Sequence, residues 1–156
     1  MVATIAEVSR NLGRLIDFIS NLMPYSEDVL CTPIEEGKWS VQDIISHIMG
    51  WDKDLMKKLD HFIHKGEALL QEHHDVRVFN EASVAYGRTR KPHDLLREAA
   101  SQRKQLILKL NQVSEEAFTK HIHGSPYTLE TFLQEMFICH DKHHEEQIMR
   151  YLQRYL

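Results

Sequence analysis

The residues best suited to chemistry lie near the C-terminal end, in the run His140-Asp141-Lys142-His143-His144-Glu145-Glu146-Gln147-Ile148. His140 and His144 stand four residues apart, which on an α-helix at about 100° per residue puts both imidazoles on one face. Two nitrogens presented by one rigid helix can grip a divalent cation when a third ligand arrives from elsewhere. Spacing alone is weak support. The chain has 11 histidines among 156 residues, about three times the usual share, and roughly 0.8 such pairs are expected by chance. Location adds information, because the pair prolongs an apolar stripe of Leu133, Met136, Phe137, Ile148 and Tyr151, with Gln147 alongside. That face is expected to point inward. Imidazoles buried there cost free energy unless their nitrogens find partners, and a metal ion provides one kind of partner. Hydrogen bonds to backbone or water provide another, and on spacing and location the two readings weigh equally.

A third ligand would have to come from a facing helix. His47 is the candidate, within the apolar segment Ile44 to Trp51. On the helical wheel it falls towards the flank of the Ile44/Ile48/Leu55 stripe, so a surface position competes with a ligand role. His143 lies about 60° from His140, at the edge of the stripe, as a group behind the ligands or at the surface. Gln147, one turn after His144, could orient a ligand or an imidazole. The pairs His61/His64, His73/His74 and His121/His123 fall at helix ends or in polar loops and are read as surface groups. Asp43, Asp52, Asp141 and Glu145 are the nearby carboxylates, with solvated helix-face positions expected for each. Cys139, beside His140, is expected to be a buried, inert thiol.

Other chemistries lack their signatures. A di-iron carboxylate site needs Glu-x-x-His, and no glutamate here has histidine three positions later. The chain contains no His-Glu-x-x-His, Gly-x-Ser-x-Gly or phosphate-binding glycine loop. Nineteen Lys and Arg against 23 Asp and Glu give a net charge of −4, the wrong sign for holding nucleic acid or an anionic membrane. Two distant cysteines offer neither a disulfide framework nor a cysteine-rich zinc module, so a reducing cytoplasm is expected. No basic-then-apolar leader pattern and no apolar run of spanning length is visible.

The elements that must hold these residues are helices. Ile5, Val8, Leu12, Leu15, Ile19 and Leu22 recur at three- and four-residue spacing before Pro24, predicting a first helix. Ser40, with Asp43 three residues on, starts a second that runs to about Lys65, with Gly66 as its stop. Residues 66–91 weaken to a short helix or an ordered connection. Pro92 opens a third helix that fades near Asn111. Ser114 starts a short turn, and after the Gly124-Ser125-Pro126 break a fourth helix runs from Thr128 to about Tyr151. Four amphipathic helices, with a crossover of roughly 25 residues between the second and third, predict an all-α four-helix bundle, up-down-down-up, as one domain over 1–156.

Lys38-Trp39-Ser40-Val41, leading through Ile44-Ile45-Ser46-His47-Ile48 to Trp51, and His140-x-x-x-His144 with Glu145-Glu146-Gln147-Ile148, resemble the DinB-like superfamily in order and spacing. That superfamily includes bacillithiol- and mycothiol-dependent transferases. The resemblance implies a bundle with a long crossover and one divalent metal, zinc or nickel before manganese or iron, held by His47, His140 and His144. It also implies a homodimer and a small-molecule substrate, with a low-molecular-weight thiol as one option. Residues 72–90 carry no matching motif, and substrate choice in the family depends on such variable parts. Three neutral imidazoles leave an ion an open position suited to thiol S-transfer or hydrolysis. The alternative is a non-catalytic helical bundle working as a homodimer or partner-binding module, with Phe79, Tyr86 or Phe118 as exposed apolar contacts.

Overall fold

A computed structural model describes residues 2–65 and 75–156, and its regular structure is all-helical. Helix α1 (Ile5–Leu22) begins at a capping box in which Thr4 Oγ1 accepts from the Glu7 N–H and the Glu7 carboxylate accepts from the Thr4 N–H. Helix α2 (Glu27–Cys31) is a single turn capped by Ser26. Helix α3 (Val41–Lys65) begins at the Ser40/Asp43 pair, whose reciprocal side-chain to backbone bonds are both 3.1 Å. Helix α4 (Val76–Arg88) fills part of the crossover, and α5 (Pro92–Leu110) has its proline at the start, where a missing N–H costs nothing. Helix α6 (Glu115–Thr119) follows the Ser114 cap. The last long element has three parts: α7 (Leu129–Leu133), a π-helical turn (Gln134–Ile138) and α8 (Cys139–Leu152). The expected Gly66 stop and the His73/His74 pair lie outside the described residues.

Two apolar clusters make the core. One joins Val8 and Leu12 of α1 to Leu55 and Leu59 of α3, Leu106 of α5 and Leu133 of α7. The other joins Leu15 and Ile19 of α1 to Ile44 and Ile48 of α3, Leu95 of α5 and Ile148 of α8. Along α1 the chain passes from the first cluster to the second, along α3 and α5 from second to first, and along the last element from first to second again. Helix α4 lies against α3 at close range. A Cβ on Gly50 would collide with Ser83, and one on Gly87 with Ser46, so two glycines set this approach. Ser46 Oγ donates to the Ser83 carbonyl, and Gln42 Nε2 donates to the carbonyls of Gly87 and Arg90 at 2.9 and 2.8 Å.

The π turn changes what the apolar stripe means. The Cys139 N–H reaches back five residues to the Gln134 carbonyl, accommodating one extra residue in the helix. The buried positions therefore run Leu133, Phe137/Ile138, Asp141, His144, Ile148 and Tyr151/Leu152, about one residue out of phase with an uninterrupted helix. Met136, expected inside, is 46% exposed. Phe118, expected as an exposed contact, is fully buried in the first cluster, because the short α6 folds its apolar side onto the bundle. No described helix is long and apolar enough to cross a membrane.

Candidate metal centre

Among the described residues, one group of three histidine, cysteine or acidic side chains could hold a metal ion: His47, His140 and His144. Their nearest nitrogens all lie within 4.8 Å of one another. His47 comes from α3 and is buried, which overturns the surface reading: α4 covers the flank of α3 that the wheel left open. His144 is buried and His140 half-buried on α8. His140 Nε2 lies 3.0 Å from His47 Nε2 and 3.0 Å from His144 Nε2.

The other ring nitrogens determine what these contacts are. Asn80 of α4 places its Oδ1 2.9 Å from Trp51 Nε1, which can only donate. The same oxygen is 3.0 Å from His47 Nδ1, so that nitrogen carries the proton and His47 Nε2 presents a lone pair. Gln147 Oε1 is 2.7 Å from His144 Nδ1 and fixes that ring in the same way. Between neutral rings His140 Nε2 has at most one hydrogen to offer to the two lone pairs that face it. At least one 3.0 Å contact therefore has no hydrogen of its own, and a shared cation would convert both contacts into ligation. Two nitrogens bound at about 2.0–2.1 Å to a tetrahedral ion lie about 3.3 Å apart, so the donor set fits with a small adjustment.

The rings are neutral. Burial pushes His47 down to about 4, with help from the charge of His144. Burial pushes His140 down to about 3, followed by repulsion from His144 and His47. His144 is lowered mainly by burial. Such nitrogens stay available as ligands at pH values where an ordinary imidazole is protonated. Trp39, half-buried, lies with its ring centroid 5.0 Å from that of His47.

Three of the four carboxylates, Asp43, Asp52 and Asp141, are buried rather than solvated helix-face charges. Asp52 and Asp141 are 1% and 4% exposed and share the fully buried guanidinium of Arg103. Arg103 Nε and Nη2 donate to Asp52 at 2.7 and 3.0 Å, Nη1 and Nη2 donate to Asp141 at 2.7 and 3.2 Å, and Nη1 donates to the Leu12 carbonyl at 3.0 Å. All five guanidinium hydrogens are used. Asp43, also buried, takes a bidentate pair from Arg88 at 3.0 Å, and that guanidinium holds its carboxyl down against the burial that pushes it up. Asp141 turned inward because the π turn moved the buried phase onto it. Glu145, half-buried, faces a shallow depression with Phe18 and Lys142. Cys139, expected buried, is exposed, because it lies on the opposite side of the helix from the Leu133/Ile148 stripe. His143, His61, His64, His121 and His123 are exposed. Asn80 and Arg103 carried no signal in the sequence, since neither belongs to a spacing motif, whereas Trp39 stands in the Lys38-Trp39-Ser40-Val41 segment.

The chain matches no curated protein and no solved structure. A family model, that of the DinB superfamily, matches residues 7–148. That span takes in both ends of the triad, His47 and the α8 pair, along with the crossover that supplies Asn80, and the chain therefore belongs to the DinB superfamily.

Proposed function

We propose that His47, His140 and His144 hold one divalent metal ion through their Nε2 atoms, and that the protein uses it on a small molecule, as a thiol S-transferase or a hydrolase. The observation that carries this reading is the pair of 3.0 Å contacts converging on His140 Nε2, for which neutral rings have at most one hydrogen between them. When bound, such an ion supplies a Lewis acid that lowers the pKa of a water or thiol placed at its open position. Zinc or nickel are the expected occupants, because imidazole suits both and availability selects between them.

The chain's own residues prepare that position. Asn80 and Gln147 fix the tautomers of His47 and His144 from behind, so that both lone pairs point to one place. Trp39 covers His47 and limits water on that side. Arg103 locks Asp141, and with it the first turn of α8, so the His140 backbone is held where its ring meets α3. The test is metal content of untagged protein purified without chelator or nickel resin, for wild type and for His47→Ala, His140→Ala and His144→Ala. About one ion per chain in wild type, lost in each variant while helicity persists by circular dichroism, is the expected result. A wild type that cannot be loaded, or a His47→Ala protein with full occupancy, would sink the reading.

A further inference from the structure

Beside the triad lies a cleft of about 500 Å³ with His140 in its wall, a volume within the range of small-molecule sites. Trp51 and Leu55 of α3 form one side, and Phe132, Met136 and Phe137 of α7 and the π turn form another. Tyr127 comes from the loop ahead of α7. The π turn builds this wall: the extra residue leaves Met136 46% exposed at the cleft while Phe137 stays 6% exposed against the core. Methionine at such a position adapts to the shape of what it meets. Among the described residues, two charged side chains share the lining, Asp54 and Lys58. They face each other in a 2.8 Å ion pair, 11% and 15% exposed, so neither offers a net charge to a ligand. The cations Lys38, Arg150 and Arg154 surround a separate depression of about 160 Å³ on the Gln147 side, away from this wall.

We infer that the cleft binds the uncharged aromatic or branched-alkyl body of a small molecule whose ligating head reaches the ion at His140. This rests on the proposed metal centre. A carboxylate or ammonium on the body is disfavoured because it would be desolvated against aromatic and thioether groups, and among the described residues of the lining no unpaired counter-ion meets it. An apolar body gains by leaving water.

The test uses zinc-loaded protein and hydroxamates, which share one zinc-binding head and differ in the body attached to it. Zinc stoichiometry is measured first and again after titration, so that failure of the metal centre is read separately from failure of the cleft. By titration calorimetry, benzohydroxamate should bind at least about tenfold more tightly than acetohydroxamate, and 4-carboxybenzohydroxamate should lose most of that advantage. Met136→Asp, at an exposed position, should abolish the preference for the aromatic body while zinc content stays at the wild-type level. Phe132→Ala should reduce the preference by a smaller factor, and it serves as the second variant if the aspartate disturbs folding. Equal affinities for the aromatic and methyl probes on fully loaded protein would overturn the cleft and leave the metal centre standing. Carboxylated and neutral aromatic probes of equal affinity would overturn the claim that the body is uncharged. Protein that takes up no zinc would overturn both.

Discussion

At the scale of single residues, Asn80 fixes the tautomer of a buried histidine so that its Nε2 lone pair is free to ligate. Its Oδ1 accepts from both Trp51 Nε1 and His47 Nδ1, and the indole, which cannot accept, decides which end of the amide faces the imidazole. Replacing Asn80 by leucine leaves His47 free to turn or to protonate the wrong nitrogen, and loss of such a supporting bond weakens metal affinity by about 10- to 100-fold. Asn80→Asp should retain most of the affinity, since a carboxylate accepts the same two donors. Competition with a chromophoric chelator measures both, and a leucine variant with wild-type affinity would remove Asn80 from the site. Trp39 and Trp51 are the chain's two tryptophans and both flank His47, so the emission maximum reports the lost indole hydrogen bond independently of metal. The His140/His144 pair was legible from four-residue spacing and a shared face. Asn80 was not, because its role depends on the path of a crossover whose sequence has no repeat of helical faces to follow beyond a few apolar positions.

At the scale of elements, the π turn explains what periodicity misplaced along the last helix. A wheel drawn from Leu129 at 100° per residue puts Met136 inside and Asp141 outside. The extra residue within Gln134–Ile138 reverses both, leaving Met136 46% and Asp141 4% exposed. No composition signal announces such a turn, since Gln134-Glu135-Met136-Phe137-Ile138 are ordinary helix formers. A bulge of this kind keeps the flanking segments facing the same core, and that makes it testable by deletion. Removing Met136 should close the turn into continuous α-helix while Leu133, His144 and Ile148 keep their partners. Helicity and zinc stoichiometry should survive, and the melting temperature should stay level or rise. A Met136 deletion that unfolds the chain or strips the metal would show that the flanks are not in phase across the turn. The helix starts, in contrast, were readable, because Thr4, Ser40, Ser114 and Thr128 each cap through a side-chain bond one turn long.

At the scale of the whole molecule, a polar layer divides the core. Asp52 falls between Met49 and Leu55 on α3, Arg103 between Ala99 and Leu106 on α5, and Asp141 and His144 between Ile138 and Ile148 on the last helix, so both apolar clusters end at the same level. Arg103 ties α1, α3, α5 and α8 together there, and removing one member of such a buried set strands the rest at a cost of about 3–5 kcal/mol. The layer also sets how the metal-free protein responds to acid. The histidines titrate near 6.5 when unfolded, but in the fold His47 lies near 4 and His140 near 3 because of burial. Below about 6.5 the unfolded chain takes up protons that the folded chain refuses, so stability is complete above that pH and declines as the pH falls towards 4. Asp52 acts in the opposite direction: burial, with Asp141 sharing its cation, pushes it up to about 6, so there the folded state binds the proton first. Two depressed imidazoles with His144 beside them outweigh the raised carboxyls of Asp52 and Glu145, the latter raised by burial. The urea-unfolding free energy of the metal-free protein should therefore fall between pH 7 and pH 5 by on the order of 1–2 kcal/mol after solvent screening at the half-buried His140. Saturating zinc should move the decline to lower pH, because the ion competes with protons for the same nitrogens and stabilises only the folded state. A metal-free profile flat over that interval would mean that the three rings are solvated in the folded protein, and the converging lone pairs would lose their basis.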